Sequence, residues 1–415
     1  MRIGEIRRES SPRGVRVAAD VQWEDCGRPS REIFFDVGPE AGDALTPTAE
    51  AFLTGCIVPA VRHGERRIAV RGTVCPRLRD NLKVALAILG SWRGSPRPPI
   101  AIEAPEGFRA PRRAPTRAGM ALSGGVDSLF TLRMNRLTIA PDHPASIRTG
   151  IFVLGHDFGV PGSGAAEFER YDERARSLEK LAGSCGLELV PMRFNLRELD
   201  DDLGFYIEQF FGAAIAAAGH ALAPRIDSFS IASSYDVGHM LPNGSHPYVD
   251  AYFSSSALAV RHDGAAHTRL EKLRVLAEWP EAIERLQPCN YRPPPAGRAN
   301  CGTCEKCLRT GIALLVLGRL DRTSGFSSER LTPEAIRAMP WTHGLVEYWE
   351  ELVGPLFAIG RDDLARAAQE RIREDRTFRS WREEKDWKGA VKRLDRRYLG
   401  GLVAAVARAV RKGRR

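Results

Sequence analysis

The chain has 415 residues, 43% of them hydrophobic and 27% charged, with 61 Lys plus Arg against 52 Asp plus Glu. That length has room for two or three domains, and the composition is that of an ordinary globular protein. Its longest apolar blocks, such as residues 312–317, are far too short to span a bilayer, and no apolar leader follows Met1, so a cytoplasmic protein is expected.

In chain order, residues 15–21 and 32–37 read as strands, and a helix starts at Thr46-Pro47 and runs through Val58. Residues 68–70 form a third strand, 76–89 a second helix and 99–102 a fourth strand. Residues 1–108 are therefore expected as an N-terminal α+β domain, with 109–118 as a proline-punctuated linker. Strands then alternate with helices. Strands are expected at 119–122, 151–154, 187–190 and 229–232, with helices from Ser128, over 165–182 and over 197–218. This βαβ order implies an α/β fold with a doubly wound parallel sheet over 119–320. Residues 321–415 read as a helical C-terminal region.

The 18 Lys and Arg of residues 361–415, against 9 Asp and Glu, account for the whole positive excess of the chain. The rest is balanced, so no broad basic face is expected there. The tail could meet nucleic acid or an anionic membrane, but a solvated helical surface is the preferred reading. Leu402, Val406 and Val410 form an apolar stripe at helical spacing within it.

The most informative stretch is Leu122-Ser123-Gly124-Gly125-Val126-Asp127-Ser128. A short strand passes through two glycines into a helix start, which makes a nest of amides at the positive end of the helix dipole. Gly124 and Gly125 are read as residues with positive φ that also leave room for a phosphate. Asp127 beside such an anion makes sense as a magnesium holder. The alternative is an ordinary strand-to-helix turn.

Cys289, Cys301, Cys304 and Cys307 form a second constellation, C-x11-C-x2-C-x2-C, which can close four thiolates around structural zinc. A redox pair, an iron–sulfur ligand set, unrelated reduced cysteines and a sulfur-carrying thiol stay open beside it. The other four cysteines lie scattered among apolar neighbours. Lys272 and Arg309 are candidate partners of phosphate charge. His239 and His246 are weaker candidates for substrate contacts. Gly162-Ser163-Gly164, after His156-Asp157-Phe158-Gly159, is a weak glycine loop.

Ser-Gly-Gly-Val-Asp-Ser resembles the phosphate loop of the PP-loop, or N-type ATP pyrophosphatase, superfamily, and it lacks the Lys of a Walker loop. Residues 119 to about 318 are similar to its 7-cyano-7-deazaguanine synthases, from that loop through His246–Asp250 and Lys272 to Cys-Gly-Thr-Cys-Glu-Lys-Cys-Leu-Arg. The N-terminal domain and the helical tail have no counterpart there, and 246–250 matches only loosely. The resemblance implies an adenine nucleotide alpha hydrolase-like fold and cleavage of ATP between its α and β phosphates. It implies that Leu122 to Ser128 hold pyrophosphate and magnesium, that Lys272 lies near the reacting phosphates, that Asp250 lies near the substrate, and that the four cysteines bind zinc. The activity expected is adenylation of a small-molecule carboxylate, followed by attack of ammonia to give an amide or nitrile. Thiolation by a sulfur donor, or a nucleotide-sensing or nucleic-acid-binding module, are the rival functions. A homodimer is left open.

Overall fold

The computed structural model describes residues 1–94, 99–110, 117–156, 160, 164–289, 299–323, 325–340 and 345–377. The chain divides into two compact units, Met1–Ser327 and Ser328–Arg415.

The first unit is α/β, built on one mixed, mostly parallel sheet of eleven strands. In chain order these are β1 Arg2–Ile3, β2 Arg7–Ser11, β3 Gly14–Gln22, β4 Arg31–Val37, β5 Arg67–Val70, β6 Ala101–Glu103, β7 Ala118–Ala121, β8 Ile147–Leu154, β9 Glu188–Phe194, β10 Ser228–Ala232 and β11 Ala259–Asp263. They lie in the order β11-β10-β7-β8-β9-β4-β3-β1-β5-β6, with β2 hydrogen-bonded to β3. From β11 to β9 every pairing is parallel. The chain steps from β7 outward through β8 to β9, then returns to the other side of β7 for β10 and β11. Seven of the eight residues of β8 are buried, as a strand covered on both faces requires.

The boundary expected at residue 108 does not interrupt the sheet. Antiparallel β4 pairs directly with β9, placing Phe35 opposite Phe194 and Asp36 opposite Arg193. The Asn195 side chain extends this seam: its amide donates to Glu32 O at 2.8 Å and its carbonyl accepts from Phe34 N at 2.9 Å. One core cluster runs across the seam, from Met1, Val17 and Phe52 to Met192, Ala217 and Val260. The helix Ala49–Arg62 meets the helix Phe211–Ala221 so closely that a Cβ on Gly55 would stand 2.7 Å from Leu196 and 3.3 Å from Ala217.

The single helix expected over 197–218 is broken. A 3-10 turn, Leu196–Glu198, is followed by a short turn at Leu203–Phe205, a π turn at Tyr206–Phe210 and then the helix Phe211–Ala221. Two local causes are visible. Asp200 and Asp202 accept from backbone amides two and three residues on, at 3.0 and 2.8 Å, which favours turns over a continued helix. The loop at Gly244 then inserts: its amide donates to Ile207 O, and its carbonyl takes the Gly212 amide that would otherwise bond within the helix.

In the second unit the described residues form helices Pro333–Ala338, Val346–Ala358 and 362–377, with Trp349, Leu352, Leu356, Leu364 and Ile372 buried. The basic segment 378–415, with its apolar stripe, lies outside the described residues. Among the described residues no helix is long and apolar enough to cross a membrane.

Candidate functional site

The glycine corner follows β7, the strand at which the chain reverses its direction of travel across the sheet. Gly124 has φ +73°, and a Cβ there would meet Leu178 at 2.9 Å, so this position needs glycine twice over. Gly125 differs from expectation. Its φ is −83° in an extended conformation that any residue adopts, and it is the N-cap of the helix Val126–Thr138. Only one of the two glycines is thus demanded by the backbone.

Hydroxyls brace the corner. The Ser123 amide donates to Ser128 Oγ at 3.2 Å, the Gly125 amide to Ser123 Oγ at 3.3 Å, and Ser128 Oγ lies 3.2 Å from both Gly125 O and Ser123 Oγ. These bonds use two loop amides. The amides of Val126, Asp127 and Ser128 bond to no other group among the described residues, as first-turn donors of a helix do until a capping group or ligand arrives.

Two cations face Asp127. Lys272 Nζ donates to Asp127 Oδ1 at 3.2 Å and to Ser233 O, just past the end of β10, at 2.6 Å. Arg269 Nη1 lies 3.0 Å from Asp127 Oδ2. Both come from the first turn of the helix Arg269–Ala277. A capping box fixes its start: Thr268 Oγ1 accepts from the Glu271 amide, and the Glu271 carboxylate accepts from the Thr268 amide. Lys272 is 1% exposed, and burial holds its pKa below the ordinary lysine value while Asp127 opposes the shift. With both oxygens in ion pairs, Asp127 is not by itself a cation site. The corner presents amides, hydroxyls and two cations against one carboxylate, which suits an incoming anion.

Arg174, on the helix Ala165–Ser184, joins this corner to the cysteines. Its guanidinium donates to Ser123 O at 2.8 Å, to Cys289 O at 3.1 Å and to Gln287 O. The Gln287 amide in turn donates to Gly124 O at 3.0 Å.

The four cysteines converge as their spacing requires. All four Sγ atoms lie within 4.8 Å of one another and all four residues are buried. Cys301 and Cys307 sulfurs are 3.7 Å apart, and those of Cys289 and Cys304 are 3.8 Å apart. A tetrahedron with metal–sulfur bonds near 2.3 Å has edges of about 3.8 Å, which these two separations match, so the set could hold a metal such as zinc. Gly302, at φ +73°, turns the chain between Cys301 and Cys304, and the Cys304 amide donates to Cys301 Sγ at 3.4 Å. Cys304 caps the helix Glu305–Val316, whose positive end favours thiolates. As bare thiols the cluster would share its charge unevenly: hydrogen bonds from Cys304 and Cys307 lower Cys289, and those same bonds to Cys289 raise Cys304 and Cys307.

Four expected site residues are placed elsewhere in the network. Arg309 forms a buried two-pronged pair with Glu305, one turn earlier in its own helix, at 2.7 and 3.3 Å, and touches neither Asp127 nor Lys272. Asp250 is fully buried and accepts from Ser245 Oγ at 2.7 Å and from the His246 amide at 3.3 Å, with His262 Nδ1 at 2.7 Å. His246 caps the short helix Pro247–Asp250 through the Tyr248 amide and packs edge-on against Trp92. Asp250 and His246 thus hold their own loop together. His239 pairs with Asp236 on the surface. The loop residues 157–159 and 161–163, and 292–297 between the cysteines, lie outside the described residues.

Sequence reasoning passed over Arg269 and Arg174. Arg269 carried a signal, since Thr268-x-x-Glu271 announces a helix start and puts residues 269 and 272 on one face. Arg174 carried none. No family model, curated protein or solved structure matches this chain.

Proposed function

We propose that the protein is an ATP-dependent ligase of the PP-loop type, which adenylates a small carboxylic acid and transfers the acyl group to ammonia or an amine. The observation that carries this reading is the glycine corner, with its first-turn amides and the Asp127–Lys272–Arg269 group, at the carboxyl end of β7. The order β9-β8-β7-β10-β11, which reverses direction at β7, supports reading these strands as a doubly wound sheet. Ligands of such sheets sit at the reversal point, between β7 and β10.

In this mechanism a substrate carboxylate oxygen attacks the α-phosphorus of ATP. The bond to the bridging oxygen breaks, and pyrophosphate leaves toward the corner. The amides of residues 126–128 accept its charge, and Lys272 and Arg269 move part of theirs from Asp127 to the phosphate oxygens. Ammonia then attacks the acyl carbon and AMP departs. Magnesium enters as the counter-ion of ATP, with no step assigned to it. The cysteines would hold zinc in a closed structural site, bracing the segment that Gln287 and Arg174 tie to the corner. All four are engaged in that cluster, which favours nitrogen over sulfur transfer.

The test is exchange of labelled pyrophosphate into ATP across a panel of carboxylic acids that includes deazapurine carboxylates, followed by mass analysis of products with ammonia. Acid-dependent exchange and AMP formation are expected. Formation of ADP in place of AMP, or no exchange with any acid alongside no ATP binding, would overturn the reading.

A further inference from the structure

A second feature lies on the sheet face opposite Phe35 and Phe194. A groove of about 340 Å³ runs between β4, β9 and the helix Ala165–Ser184, lined among others by Arg13, Asp36, Asp172, Arg176, Glu179 and Arg193. Cross-strand alternation places Phe34, Asp36 and Arg193 on this face together.

The charges there are unevenly matched. Arg16 grips Asp36 with two hydrogen bonds, at 2.7 and 2.9 Å, and Arg13 lies 3.3 Å from Asp172. With those two carboxylates taken, no carboxylate lies within ion-pair distance of Arg193 or Arg176 among the described residues. Aromatic rings hold Arg193 in place: its guanidinium carbon lies 5.2 Å from the Phe34 ring centre and 5.4 Å from that of Phe168. Phe34 also carries Arg16 at 4.0 Å. Burial depresses the Arg193 pKa against the attraction of Asp36 and, more weakly, Glu198, and Arg13 and Arg16 add to the depression. A guanidinium fixed in position, rigid in shape and short of counter-charge is suited to grip an oxoanion through two parallel hydrogen bonds.

We infer that this groove binds a small oxoanion, a carboxylate or phosphate group, on Arg193, with Arg176 as the second cation. The site is separate from the glycine corner. The helix Ala165–Ser184 turns Arg174 and Leu178 toward that corner and lines the groove with Asp172, Arg176 and Glu179.

The full-length protein is titrated calorimetrically with inorganic phosphate and, separately, with succinate. Binding of one or both with a dissociation constant of about 0.1–1 mM is expected. Arg193→Gln should weaken it about tenfold or more, Arg193→Lys less, since the charge stays and the fork is lost. Lys272→Met should leave this binding in place, which separates the groove from the corner. Should Arg193→Gln fail to give a native circular dichroism spectrum, Arg176→Gln is read instead, with a weakening of about threefold or more expected. The relative strength of the two probes tells carboxylate from phosphate. Absence of binding by both probes, or binding unchanged in the readable Arg variant, would overturn the inference.

Discussion

At the scale of single residues, the corner depends on a lysine placed where solvation is poor. Replacing Lys272 by Met keeps the length and the burial but removes the charge that the proposed mechanism brings to the leaving phosphates. Pyrophosphate exchange should fall by about 100- to 1000-fold while the circular dichroism spectrum stays native. Gly124→Ala tests the backbone: a positive φ and a Cβ 2.9 Å from Leu178 should together cost about 1–3 kcal/mol in chemical denaturation. His220 reports on the core instead. It is fully buried, lies 2.8 Å from Phe253 O through Nε2, and burial lowers its pKa to about 4 from the ordinary 6.5. Between those values the unfolded chain takes up a proton that the folded one refuses. Stability should therefore fall as pH drops from 6.5 toward 4, by roughly 3 kcal/mol from this residue, and the slope should shrink in His220→Gln. Local chemistry of this kind was partly legible in sequence. Lys272 and the stretch Ser123 to Ser128, each singled out beside a helix start, are brought together at Asp127. Arg309 was misplaced although Glu305 stands four residues before it, a spacing that invites a pair within the helix. Arg174 could not be read, because its three carbonyl partners come from two distant loops.

At the scale of elements, the cysteine segment is organised around four buried sulfurs close enough together to hold a metal ion. The purified protein should contain one zinc per chain by metal analysis. Cys304→Ser should lose it and lower the melting temperature by about 10 °C or more, because the metal's binding energy is also folding energy. The four-cysteine cluster was legible because cysteine spacing is itself the geometric constraint, with one glycine at the turn. The broken helix after Leu196 was not legible. Its apolar periodicity continues across the break, while the π turn depends on a Gly244 loop over thirty residues away in the chain. Strand β11 was missed for a related reason: its residues, Ala-Val-Arg-His-Asp, alternate too weakly to announce a strand, and it forms against β10.

At the scale of the molecule, the N-terminal strands are not an appended domain. Helix and strand types within 1–108 were largely legible from periodicity, but their destination was not, because the pairing of β4 with β9 joins residues more than 150 positions apart. That pairing removes an edge from the parallel strands, and an uncovered edge beside apolar side chains is an aggregation hazard. Phe35 meets Phe194 edge-on at 6.2 Å and Phe52 at 5.4 Å, Gly55 admits Leu196, and Arg62 reaches Asp200 at 2.6 Å. Cutting the chain before Arg117 would leave Met192, Phe194, Leu196 and the helix Phe211–Ala221 without their cover. At roughly 1.5–3 kcal/mol for each large side chain exposed, the loss is on the order of 10 kcal/mol, comparable with the whole stability of a typical domain. Residues 117–415 alone should therefore be insoluble or bind a hydrophobic dye without a cooperative melt, and co-expression with residues 1–116 should restore soluble protein. A soluble 117–415 fragment with a sharp melting transition would mean that the seam is dispensable and that the parallel strands fold by themselves. The glycine corner would then owe nothing to the N-terminal half, whereas the continuous core makes that half part of the platform on which the corner stands.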